Sequence, residues 1–543
     1  MDVAQLTSIT DAQQLREIVL DQMSVIAERD ALRTQLAERE QHIAQRDERI
    51  ARHEALIASR DRTIAYKEAK IAKLTAEIRR LQRVQFAARS EKMDPEQRAL
   101  FDEAMAADLA AVEAELEEAQ HSDGETRTAS APRTAPKRRP LPPELPRIET
   151  RHEPESCDCV TCGAALVPIG EHVSEKLDCE PLRFFVRRDV YPQYACRACE
   201  TIHAEPVAPS VLDRGIAAPG LLAQVVIAKY VDHLPLYRQE TIHARSGVEI
   251  GRTTLAEWCG VVGLRLQPLV DALRTELLTA PVLHADETPV AQLDPGAGKT
   301  KRAYLFAYRT TDENPIVVFE YAGSRSGKHA AAFLGDWKGA LMVDDYSGYK
   351  ALFPRITELG CWAHARRKFV DLHKASGSLI ANEAIQRIAA LYRTEAQADE
   401  LDLDERWRWR QQHAKPVIDD LKRWLDTTRP QVLGASGTLT AIDYTLKRWA
   451  ALTRYLDDGR FPIDNNPIEN AIRPIALGRK NWLFAGSETA GRRAAAIMSL
   501  LATAKANGHE PHAWLTDVLT RLPTTLNRNI GELLPHRWQP IQR

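Results

Sequence analysis

Three acidic positions combine a residue type and a local setting suited to chemistry at phosphorus. Asp286 follows the apolar run 282–285 in Asp286-Glu287-Thr288, and Asp344 follows the run 340–343 in Asp344-Asp345-Tyr346. Glu469 lies in Asp464-Asn465-Asn466-Pro467-Ile468-Glu469-Asn470. Carboxylate oxygens that converge from separate segments hold hard cations such as Mg²⁺ or Mn²⁺, and two such ions about 4 Å apart serve an in-line displacement. One ion would activate a water or a 3′-hydroxyl while the other stabilises the leaving oxygen. Glu287 and Asp345 compete with their neighbours for these roles, because acids at strand ends also cap turns.

A second constellation is built from sulfur. Cys159-Val160-Thr161-Cys162-Gly163 and Cys196-Arg197-Ala198-Cys199 are two CxxC pairs, and four thiolates close a tetrahedral Zn²⁺ site. The assigned ligands are Cys159, Cys162, Cys196 and Cys199, with Cys157 as a competitor for Cys159. Eight cysteines in 543 residues are too few for a disulfide scaffold and fit a reducing compartment. Cys361 and His364 form a CxxH pair, but two ligands do not close a metal site. Packing, or a phosphate contact by His364, is the simpler reading.

These groups need elements to position them. Runs at 282–285, 303–308, 316–320, 340–343 and 358–362 read as strands, with a helix at 329–337 between the third and fourth. That order is mixed α/β, with Asp286 and Asp344 expected immediately after their strands, where sites collect at sheet edges. Residues 375–455 read as almost wholly helical, anchored by Trp407, Trp409 and Trp424. After them Pro467 suits the start of a helix that Asn466 would cap. On that helix Glu469 and Arg473 share a face, and Arg479 and Lys480 follow; Arg366, Arg367 and Lys368 form a second basic cluster. Both clusters suit phosphate neutralisation. Upstream, residues 207–278 read as helices. Within them 236–245, a break at Ser246-Gly247 and a helix from about Thr253-Thr254 resemble a helix-turn-helix, with Arg252 and Thr253 placed to meet DNA and Thr253 or Thr254 as its cap.

The first 123 residues contain no glycine and no proline before Pro95. Leu36, Ile43, Ile50, Ile57, Ile64, Ile71 and Ile78 repeat every seven residues, the period of a supercoiled helix. The other core position is weaker, with Arg39, Arg46, His53, Arg60 and Lys67 preceding Leu74 and Leu81. Between 121 and 150 six prolines and Lys137-Arg138-Arg139 mark an extended basic linker. With 73 Lys+Arg against 75 Asp+Glu the chain is not uniformly basic, and 44% hydrophobic with 27% charged residues describes a globular chain. No apolar run reaches the roughly 18 residues of a membrane span, and positions 1–14 show no signal peptide. A cytoplasmic protein, nucleoid-associated when on DNA, is the expectation.

The motifs together resemble the DDE transposases of the insertion-sequence-66 family. The matching stretches are His284-Ala285-Asp286-Glu287-Thr288-Pro289, the run from Val343 to Tyr349, the run from Cys361 to Lys368, and 464–469 continuing into 473–487. The likeness covers nearly the whole chain. It implies a multidomain α plus α/β protein: a coiled-coil oligomerisation region (1–120), a Pro-rich basic linker (121–150), a zinc-binding CxxC domain (151–206) and a helix-turn-helix-like DNA-binding region (207–278). A ribonuclease-H-like core follows, in two parts (279–374 and 456–505) around a helical insertion (375–455), with a C-terminal tail (506–543). It also implies Asp286, Asp344 and Glu469 as the metal-binding triad. The family commonly has glycine where this chain has Asp345, and aligning Tyr346 and Tyr349 selects Asp344. The implied activity is binding of element ends followed by metal-dependent cleavage and strand transfer. The partners are terminal inverted repeats, target DNA, further copies of the chain and accessory proteins of the same element. A metal-dependent nuclease and a non-enzymatic DNA-binding regulator are the rival readings.

Overall fold

A sheet with antiparallel and parallel halves, covered on both faces, organises the larger part of the molecule. The computed structural model describes residues 141, 143, 145–153, 167–180, 183–212, 215–294, 299–432, 434 and 436–540, together with a set of helical positions between 16 and 71. The latter belong to one unit and the residues from 141 onward to a second.

In the first unit every described position is helical. Ile43, Ile50, Ile57, Ile64 and Ile71 are 52–63% exposed, an apolar stripe open to solvent. Leu36, Leu74, Ile78 and Leu81 lie outside the described residues, as does the linker's basic triplet.

The second unit begins with a small sheet. Strand β1 (Arg147–Arg151) runs parallel to β3 (Arg183–Ala195), which pairs antiparallel with both β2 (Val167–Glu180) and β4 (Ile202–Ala204). The chain then enters α1 (Pro219–Tyr230), apolar nearly all round and accordingly buried. Next come α2 (Leu236–Arg245), α3 (Arg252–Arg265) and α4 (Gln267–Leu277). Gly247, at φ +82°, turns the chain between α2 and α3, a conformation open to glycine at no steric cost. Residues 236–245 form the expected helix. The second helix starts earlier than expected: Gly251 is its N-cap, and the Glu240 carboxylate accepts from the Arg252 N–H at 3.1 Å. Thr253 and Thr254 sit inside the first turn and do not cap it.

The central sheet follows: β5 (Val282–Asp294), β6 (Lys299–Thr310), β7 (Val317–Ala322), then α5 (Gly327–Leu334), β8 (Ala340–Val343) and β9 (Thr357–Gly360). Its strand order is β7-β6-β5-β8-β9. The first three pair antiparallel, while β8 runs parallel to β5 and β9 parallel to β8. Strand β8 is Ala-Leu-Met-Val and wholly buried, as a parallel strand covered on both faces must be. Strand β5 continues nine residues beyond the apolar run that announced it, because β6 pairs with it as far as Asp294. Asp286 therefore lies within a strand rather than after one.

Helix α6 (Trp362–Ser376) leads from β9 into the insertion: α7 (Leu379–Ala396), α8 (Leu403–Trp409), α9 (Lys415–Thr428), α10 (Gly437–Lys447) and α11 (Trp449–Thr453). These helices own a separate core around Trp362, Phe369, Ile388, Leu421, Leu425 and Leu452. The chain returns in α12 (Asn466–Trp482), α13 (Glu488–Ala506) and α14 (Pro511–Arg521). Ile468, Ile472 and Ile475 of α12 pack on Val290, Leu305 and Phe319 at one face of the sheet. Leu283, Phe306 and Tyr308 on the other face join the core of α1, α3, α4 and α14. Strand β7 is an edge, and α13 covers it: the Val317 and Phe319 N–H groups donate to Thr503 and Ser499 hydroxyls at 3.0 and 2.8 Å. Among the described residues no helix is long and apolar enough to cross a membrane.

Candidate active site

Asp286 in β5 and Asp344 immediately after β8 lie on neighbouring parallel strands, and Glu469 stands in the first turn of α12, which packs on one face of the same sheet. Burial, the charge of Glu287, and then those of Asp344 and Glu469 push the Asp286 carboxyl up to about 7, although it accepts the Glu287 N–H at 2.8 Å. A carboxylate crowded by like charges is the condition that a divalent cation relieves. Glu469 Oε1 is buried without a hydrogen-bond partner, a second sign that the residues fit a cation.

The neighbours that competed in the sequence are committed elsewhere. Successive strand residues face opposite ways, so Glu287 turns from Asp286. Its carboxylate accepts from Arg325 Nε at 2.8 Å and the Tyr349 hydroxyl at 3.1 Å, and Arg325 lies over the Tyr346 ring at 4.1 Å. This cluster ties the segment after Asp344 to β5. Asp345 pairs with Arg448 of the insertion at 2.8 Å, while the same guanidinium donates to the Asp344 carbonyl at 3.0 Å and reaches Glu358 at 3.0 Å. Asp344 Oδ1 accepts a local bond from the Tyr346 N–H at 2.8 Å, which shapes the turn.

Helix α12 is registered on β5 by Asn465. Its side-chain oxygen accepts from His284 Nδ1 at 2.9 Å, its side-chain nitrogen donates to the Ala285 carbonyl at 2.9 Å, and its backbone N–H donates to Cys361 Sγ at 3.2 Å. Asn465, fully buried, occupies the N-cap position but spends its side chain on the sheet. Asn466 is therefore the first helical residue rather than the cap, and Asp464 Oδ1 accepts its N–H at 3.0 Å. The other Asp464 oxygen accepts the Tyr392 hydroxyl at 2.9 Å, joining α7 to the same corner. His284 is buried, and desolvation lowers it to about 4 against the Asn465 bond, which keeps the ring neutral. None of Arg325, Arg448, Asn465 and Tyr392 was singled out from the sequence. Asn465 alone had a signal, as part of the run 464–466 before Pro467.

The predicted basic residues divide. Arg367 donates to Glu469 Oε2 at 3.1 Å, and Lys368 stands over the Tyr444 ring at 5.3 Å. Arg366 is half-buried on α6. On α12, Arg479 donates to the Pro289 carbonyl, whereas Arg473 and Lys480 are exposed. Arg252 is half-buried and Thr253 exposed at the start of α3. His364 is not an isolated packing residue: its Nδ1 stands 3.6 Å from Glu469 Oε1. Of the zinc candidates, Cys159 and Cys162, with Cys157, lie outside the described residues. Cys196 follows β3 and is buried, and Cys199 lies in the turn to β4, its sulfur 3.1 Å from the Thr201 hydroxyl.

Comparison with known proteins decides the family. The model for the IS66 family of transposases matches residues 214–493, from α1 through the insertion to α13. The chain belongs to that family. The zinc-finger binding domain of transposase IS66 matches 154–200, the IS66 C-terminal element 499–536, and a domain described as transposase C of IS166 homeodomain 73–150. Two similar proteins, y4jD and y4qI, are described as uncharacterised proteins of Sinorhizobium fredii (strain NBRC 101917 / NGR234). The protein y4jD is 38% identical over 420 residues, 74% of this chain and 82% of its own length. The protein y4qI is 37% identical over 479 residues, covering 85% of this chain and 88% of its own. This IS66-family chain is thus a transposase with a zinc-finger domain, and the family acts on DNA.

Proposed function

We propose that this transposase binds the ends of an insertion sequence and cuts and joins DNA at a centre formed by Asp286, Asp344 and Glu469. The observation that carries the reading is the placement of the three acids: Asp286 on β5 and Asp344 at the end of the parallel neighbour β8, with Glu469 in the first turn of α12, which packs on the same sheet. Burial and Glu287 chiefly raise the Asp286 carboxyl, and Asp344 and Glu469 add to it. The strand order β7-β6-β5-β8-β9, with three antiparallel strands followed by two parallel ones, supports a ribonuclease-H-like core interrupted by the helical insertion.

Asp286, Asp344 and Glu469 would hold two Mg²⁺ or Mn²⁺ ions. When bound, such ions supply an activated water or 3′-hydroxyl and stabilise charge on the leaving oxygen. The protein's own residues do the positioning. Arg448 fixes the turn that presents Asp344, Glu287 ties that turn to β5, and Asn465 sets the height of Glu469 above Asp286. Arg473, Lys480, Arg366 and Lys368, with Arg252 and Thr253 at the start of α3, supply contacts to the DNA backbone. Arg367 shares that role with its hold on Glu469. In the zinc-finger domain Cys159, Cys162, Cys196 and Cys199 would hold one structural Zn²⁺, and the exposed isoleucine stripe would pair with a second copy.

A strand-transfer assay with labelled element ends separates this reading from its rivals. The transposase reading predicts cleaved ends joined to target DNA. Cleavage without joining would mean a nuclease, and binding without either would mean a regulator.

A further inference from the structure

The first turn of α6 carries a second ligand set beside the acids. Cys361 is the N-cap of α6 and His364 lies three residues on, so both project from one face toward the start of α12. There they meet Glu469. Among the described residues, Cys361, His364 and Glu469 are the trio whose ligand atoms all lie within 4.8 Å of one another; the three acids do not form such a group. His364 Nδ1 and Glu469 Oε1 face each other at 3.6 Å, too far for a hydrogen bond, and both are buried without a partner. Their surroundings are already ordered. Asn465 N–H donates to the Cys361 sulfur, and Arg367 holds the other Glu469 oxygen. Outer contacts of this kind orient ligands in metal sites.

We propose that Cys361, His364 and Glu469 form a site for a thiophilic divalent cation of the zinc class, which competes with the carboxylate centre for Glu469. The site rests on this geometry; the competition rests on the catalytic reading of Glu469. A sulfur, a ring nitrogen and a carboxylate oxygen suit Zn²⁺ and disfavour Mg²⁺, which takes oxygen. Ligands 2.0–2.3 Å from a tetrahedral ion stand roughly 3.3–3.8 Å apart; the 3.6 Å nitrogen–oxygen pair already meets that spacing, and no pair needs to close by more than about 1.5 Å. The thiol proton leaves to solvent as sulfur bonds the ion. The fourth position stays open to water. An ion seated here draws Glu469 toward α6 and away from Asp286, so Zn²⁺ inhibits strand transfer and Mg²⁺ reverses the inhibition.

The test uses the full chain, with its zinc-finger domain loaded with Zn²⁺, titrated with Co²⁺ as the probe. Wild type takes up about one further Co²⁺ per chain and gains a sulfur-to-cobalt absorption band in the near ultraviolet. Cys361→Ser loses the band, and His364→Gln weakens uptake by more than the roughly 10–100-fold that loss of an outer contact costs. Thermal unfolding of each variant identifies one that fails to fold; His364→Gln, partly exposed, then decides alone. Wild type without the band, or a folded variant that binds Co²⁺ like wild type, overturns the proposal. Loss of the extra ion in Asp286→Asn with retention in Cys361→Ser also overturns it, by placing the ion among the acids. A protein that shows the band yet never joins DNA keeps this site and loses the catalytic reading.

Discussion

At the scale of single residues, the partners of each acid matter more than its identity. Asp344 and Asp345 are chemically alike, yet the Asp345 carboxylate is paired with Arg448 while the Asp344 carboxylate accepts the Tyr346 N–H of its own turn. His284 offers a test through pH. In the fold it titrates near 4, against 6.5 when unfolded. Above 6.5 both states are neutral and the residue contributes nothing to pH dependence. Between 6.5 and 4 the unfolded chain takes a proton that the buried ring refuses, so stability falls as pH falls. At pH 4.5 the loss from this group is roughly 2–3 kcal/mol. Urea unfolding at pH 7 and 4.5 measures it: His284→Gln should show a smaller drop than wild type by about that amount. Equal drops would mean that the ring is not held neutral.

At the scale of elements, helix α12 and its joint to β5 decide whether Glu469 reaches the other acids. Asn465→Ala removes two buried side-chain bonds and leaves His284 unpaired, at a cost of about 2–4 kcal/mol. Because the joint registers Glu469, catalysis should fall further than stability alone explains, measured by strand transfer well below the melting point. Unchanged activity in a folded Asn465→Ala protein would count against this role. Much of the element layout was legible in the sequence. The run 236–245 with Ser246-Gly247 gave α2 and its turn, and the apolar run 340–343 gave β8 with Asp344 at its end. Local patterns failed where a distant partner decides the outcome. Pairing with β6 extends β5 through Asp286, and Glu240, twelve residues upstream, rather than a threonine, meets the start of α3. A capping preference pointed to Asn466, because nothing local reveals that Asn465 bonds His284, 181 positions away. The same distance hid Arg448 and kept Cys361 and His364 looking like an incomplete pair until α12 supplied Glu469.

At the scale of the whole molecule, the proposed function gives the N-terminal heptads, the zinc-finger domain and the region of the three acids separable tasks. Deleting residues 30–85 removes the exposed isoleucine stripe and should lower the assembly mass in light scattering; an unchanged mass would contradict self-association through it. Neutralising Arg473 and Lys480 should reduce the salt dependence of DNA binding with little change in sequence preference, and an unchanged salt slope would leave them as surface charges. The central claim concerns the acids and is tested most directly by single-turnover cleavage and joining on a terminal-repeat substrate with Mg²⁺ or Mn²⁺. Asp286→Asn, Asp344→Asn and Glu469→Gln should each bind element ends normally, because the proposed binding rests on basic groups and the N-terminal domains. Each should lose roughly three orders of magnitude or more in rate, the loss of several kcal/mol of barrier lowering. Asp345→Asn should lose far less. A dead Asp345→Asn beside an active Asp344→Asn would contradict the assignment of the second acid, and normal cleavage by all three amide variants would contradict the mechanism.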